Sequence, residues 1–102
     1  MFRQGDVLLV RVDDMPSGRP VEAERGRLVL ARGEATGHHH SVAVEDAELV
    51  DAAEGVFLRV MASTPVVHQE HAPITLDPGT YRVVRQREYL PGAIDRMVAL
   101  LD

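Results

Sequence analysis

The chain contains no cysteine, no lysine and no tryptophan. Without cysteine there are no disulfides and no thiolate ligands, so a bound metal must take nitrogen and oxygen donors. The same absence fits a reducing compartment, and the expected location is cytoplasmic. Aromatics are scarce: Phe2, Phe57, Tyr81 and Tyr89 are the whole set, which leaves the core to Val and Leu. The longest early apolar run, Val7 to Val10, is too short for a signal peptide. Nothing approaches a membrane span, so no membrane partner is expected. The net charge is −5, from 16 acids against 11 arginines, a poor footprint for nucleic acid. Arg82, Arg85 and Arg87 read as strand residues that balance nearby acids. No phosphate-cradling glycine loop is present, because GEATG is not followed by Lys-Ser/Thr. Ser17, Ser41 and Ser63 lack a nucleophile's setting.

What remains reads as extended chain. The 102 residues allow one small β domain, 1–102, with a thin core. Chains of this size gain stability from metals or self-association, and a homo-oligomer is expected. Strands are predicted over DVLLVRV (6–12), RLVLAR (27–32), HHSVAVE, VFLRVMA (56–62) and TPVVHQEH. The segment AELVDAAEG (47–55) fits a short strand or one helical turn. Asp77-Pro78-Gly79 is the strongest turn signal and predicts a hairpin between ITL and TYRVVRQREY. PGAIDRMVA (91–99) suits a short C-terminal helix or a last strand. The sum is all-β: about seven short strands in a small barrel or sandwich.

The five histidines fall in two groups, His38-His39-His40 and His68/His71, each with an acid nearby. On a strand, His38 and His40 leave one face and His39 the other. His68 and Glu70 likewise share a face if extended, and Ala72-Pro73 favours a bend that returns His71. Neutral imidazoles suit divalent transition metals, zinc foremost, with iron or nickel as alternatives. The expected ligands are His38, His40, His68 and His71; Glu34, Glu88 and Gln86 are further donors within sequence reach. Glu70 is the candidate proton-transfer group. The His68-to-Glu70-His71 spacing is neither of the helical zinc-protease patterns.

Two resemblances follow from these strings. Gly33, the histidine run with Glu45, and the Pro78-Gly79 turn resemble the metal-binding motifs of cupins, which implies a β-barrel with a His/Glu metal centre. The turn follows His68 and His71 here, whereas the cupin order is the reverse. Over most of its length the chain is similar to small bacterial and phage-borne proteins that share QGDVLL, GEATGHHH and HQEHAPITLDPGTYRVVRQREY. That likeness implies histidine positions and no activity. The expected function is a metal-binding β-barrel protein, with hydrolysis assisted by Glu70 as one use of the ion. The alternative is a structural or regulatory histidine cluster in a domain that works by oligomerising or by binding a protein.

Overall fold

The computed structural model describes residues 1–33 and 37–86. Among these residues ten strands follow one another: β1 (Phe2–Gln4), β2 (Val7–Val12), β3 (Arg19–Pro20), β4 (Arg27–Arg32), β5 (His39–Ala43), β6 (Ala47–Ala52), β7 (Gly55–Val60), β8 (Thr64–Val66), β9 (Ile74–Leu76) and β10 (Gly79–Arg85). A 3-10 turn, Val44–Asp46, joins β5 to β6. The all-β expectation holds, with ten described strands in place of about seven: the additional ones are the short β1 and β3, together with β6. The ambiguous AELVDAAEG segment is strand β6 and its turn into β7, with Leu49 buried opposite Leu58.

Six strands form one antiparallel sheet in the order β1-β2-β10-β7-β6-β3. Its end strands, β1 and β3, do not pair with each other, so the sheet is open. Of the barrel and the sandwich expected from the strand pattern, the closed barrel, which the cupin likeness also implied, is not formed by the described strands. β4 pairs with β5 and β8 with β9, as two small antiparallel sheets. Leu9, Leu58 and Tyr81 from the large sheet pack in one core with Leu28, Val42, Val66 and Leu76 from the small ones. Burying such side chains contributes roughly 1.5–3 kcal/mol each, the main favourable term in a fold this poor in aromatics. Tyr81 is fully buried and satisfies its hydroxyl by donating to the Asp77 carbonyl at 2.7 Å.

The predicted hairpin across Asp77-Pro78-Gly79 is also corrected. The turn is present, but it carries the chain from the β8–β9 sheet into the large one. Both edges of β10 are taken, by β2 and β7, so none is left for β9. The described part of TYRVVRQREY is strand only to Arg85. The possible helix over 91–99 lies outside the described residues. Among the described residues no helix is long and apolar enough to cross a membrane.

Candidate functional site

Two reciprocal hydrogen bonds join the small sheets. Ser41 N–H donates to the Val67 carbonyl at 3.0 Å, and Val67 N–H to the Ser41 carbonyl at 2.9 Å. This is an antiparallel bridge. Continuing its register outward sets His40 opposite His68, His39 opposite Gln69, and His38 opposite Glu70. The contacts follow that register. The His40 and His68 rings lie 4.4 Å apart, as expected of a non-hydrogen-bonded pair next to a bonded one. His39 N–H donates to Gln69 Oε1 at 2.8 Å, and His38 Nδ1 lies 3.5 Å from Glu70 Oε1.

The chain leaves strand geometry after Val67 and bends, which returns His71 to the group. The His68 and His71 rings are 4.6 Å apart, His38 and His68 5.6 Å, and His40 and His71 6.2 Å. The four sequence-predicted imidazoles thus gather in one place, although His68 and His71 lie on the far side of the β5–β8 bridge from His38 and His40. Glu70 is exposed at the rim, and its own N–H donates to His68 Nδ1 at 3.0 Å. Gly5 lines the group closely: a Cβ there would stand 2.7 Å from His71 Nε2. Its φ of 60° is also one that glycine adopts without strain.

Two residues that sequence reasoning passed over complete the site. Gln4 is 3% exposed, and its Nε2 donates to the Val66 and Ala72 carbonyls, each at 2.9 Å. Its Oε1 is therefore the acceptor for His40 Nδ1 at 2.8 Å, so Nδ1 carries the proton. The reverse amide orientation would set oxygen against both carbonyls. His40 Nε2 then bears a lone pair, 3.7 Å from Asp6 Oδ1. Arg85 holds the other Asp6 oxygen at 3.4 Å. The signal for Gln4 was its place two residues from Phe2, on the core-facing side of β1.

Burial, then the neighbouring His68, lowers the His40 pKa to about 4, against a smaller opposing pull from Asp6. Burial and the neighbouring His71 and His38 lower that of His68 as well. Both imidazoles are neutral at pH 7, the form that donates a lone pair. Among the described residues, however, no group of three or more His, Asp or Glu is set to hold one metal ion. Gln86, a further expected donor, is half-buried and anchors its N–H on the Asp6 carbonyl at 2.7 Å. Glu34 and Glu88 lie outside the described residues.

Fold and site together define an open, layered antiparallel β protein with an imidazole cluster at the seam between its two small sheets. The chain belongs to the family described as a domain of unknown function (DUF8820), whose model matches residues 3–86. That span includes both histidine segments as well as Gln4 and Asp6. No curated protein and no solved structure matches the chain.

Proposed function

We propose that this chain is a metal-binding β protein that holds a divalent transition-metal ion, zinc foremost and iron or nickel as alternatives, with His38, His40, His68 and His71. The observation that carries the reading is the Ser41–Val67 bridge, whose register brings two histidine segments together from far apart in sequence. Ring spacing supports it. Metal–nitrogen bonds of about 2.0–2.1 Å at tetrahedral angles place imidazole centroids roughly 5 Å apart. The observed separations, 4.4 to 6.2 Å, bracket that distance. The Gln4–His40 bond supports it too, since a ligating histidine commonly donates its second N–H to a fixed acceptor. As the described side chains stand they form no group set to hold one ion, so loading entails rotation of imidazoles about their side-chain bonds.

A divalent ion held there supplies Lewis-acid chemistry. In a hydrolytic use, His40 stays locked by Gln4 while exposed Glu70 takes and returns the proton at the rim. The count of four imidazoles favours the other use, a structural or regulatory centre, because four protein ligands fill a tetrahedral ion. In that case the domain acts in the cytoplasm by self-association or by binding a protein partner.

Elemental analysis of untagged protein after zinc loading and desalting tests the reading. The expected stoichiometry is about one zinc per chain, as for a single tetrahedral site. His38→Ala and His71→Ala, one from each segment and both outside the core, should each lower it. Stoichiometry near zero in the parent, or unchanged in both variants, would overturn the assignment. Cobalt loading separates the two uses: azide alters the visible spectrum of an open site and leaves a closed one unchanged.

A further inference from the structure

His39 points away from the imidazole cluster, and the face it joins is built with unusual care. Arg25, Arg27, Arg32 and His39, with Glu24 and Val29, line a cleft of about 370 Å³ on the outer side of the β4–β5 hairpin. Among the described residues, three guanidiniums thus line this cleft with one carboxylate, in a chain whose net charge is −5. Glu24 pairs with Arg32. Among the described residues no carboxylate pairs with Arg25 or Arg27.

Three local features place these groups. First, Leu30 is an extra residue in β4: Val29 pairs with Ser41 and Ala31 with His40. Without that bulge, alternation would turn Arg32 inward. With it, Arg32 pairs with His39 on the same outward face as Arg27 and Val29. Second, Arg27 is aimed in advance, its Nε donating to Ser41 Oγ at 3.1 Å and its Nη2 to the Ser41 carbonyl at 3.0 Å. Third, Arg25 and Gly26 are the two central residues of a tight turn closed by reciprocal Glu24–Arg27 backbone bonds. Both have positive φ, 52° and 79°, the pattern of a type I′ turn. Asn, Asp or Gly suits the first of these positions; Arg25 is the sole non-glycine with positive φ among the described residues. An arginine kept there against local preference points to use of its charge.

We propose that this cleft binds a small oxyanion, a phosphate group, through Arg25, Arg27 and Arg32 with His39 at its edge. Planar guanidinium forks match phosphate oxygens in geometry as well as charge. The acidity of the rest of the chain is screened beyond about 8–10 Å at ordinary ionic strength, so the local cluster decides. The site is independent of the metal reading, because it lies on the opposite face of β5 from His38 and His40.

The test is an amide and arginine Nε–H NMR titration of the full chain with sodium phosphate, against sodium chloride at matched ionic strength. Saturable shifts confined to residues 24–32 and 39 are expected with phosphate alone. A parallel titration with O-phosphoserine distinguishes a free anion from an esterified one by which binds more tightly. Arg25→Asn keeps a residue that the turn favours, so its thermal midpoint should stay level or rise. Its phosphate affinity should nonetheless fall roughly fivefold, the loss of one charge-assisted contact. Shifts no larger than those in chloride, or an Arg25→Asn/Arg32→Gln variant that binds as tightly as the parent, would overturn the proposal.

Discussion

The Gln4 side-chain amide spends both its donors on backbone carbonyls, which leaves its oxygen to fix the proton of His40 on Nδ1. His40 is 4% exposed and its pKa is lowered to about 4, so in the folded, metal-free chain it binds fewer protons than in the unfolded one. The contribution to stability is therefore present above pH 6.5 and is lost as pH falls towards about 4. Its size is on the order of 3 kcal/mol. In metal-free protein, the His40 ring should report the neutral Nδ1–H form by 15N NMR at pH 5.5. A ring largely protonated at that pH would contradict this. Thr64 offers a second residue-scale test. It is fully buried in β8, and its hydroxyl has no hydrogen-bond partner among the described residues. Thr64→Val keeps the shape and removes the unpaired group, so urea unfolding should show a gain of about 1 kcal/mol. A loss would mean that the hydroxyl is satisfied in solution.

At the scale of elements, the Ser41–Val67 bridge is the join on which the site depends. Val67 is 41% exposed, so Val67→Pro removes its N–H with little loss of buried surface. The variant should unfold about 1–2 kcal/mol more easily. Backbone NMR should show β2, β10 and β7 unchanged, while zinc binding weakens at least tenfold. Full zinc affinity in a folded Val67→Pro protein would detach the site from the bridge. This join explains what the sequence could and could not reveal. Alternation alone assigned His38 and His40 to one face and His39 to the other, because side-chain direction has period two. The strands β2, β4 and β7 were legible from Val- and Leu-rich runs between turn residues. That the two histidine segments meet was expected from their shared chemistry, but the register that sets residue 40 opposite residue 68 was not legible, because no local pattern encodes a long-range register. The Asp77-Pro78-Gly79 turn misled for the same reason. A turn reports a change of direction, and the choice of partner belonged to β2 and β7, which already flank β10. Gln4 and Asp6 were missed because polar residues in a short strand and turn read as solvent-facing until burial is known.

Taken whole, the molecule sets two kinds of chemistry back to back on one strand. The inner face of β5 joins the imidazole cluster, and its outer face joins the arginine cleft. The bulge at Leu30 serves both, since it pairs Ala31 with buried His40 and Arg32 with outward His39. The large sheet supplies the support: Gln4 from β1 and Asp6 from the turn after it reach His40 from that layer, and Arg85 from β10 holds Asp6. The most direct test of the metal site is an anomalous difference map at the zinc edge from crystals of untagged, zinc-loaded protein. One peak per chain is expected, bonded at about 2.1 Å to imidazole nitrogens from both histidine segments. A map with no peak there, or with zinc held by one segment alone, would contradict a centre shared across the Ser41–Val67 join.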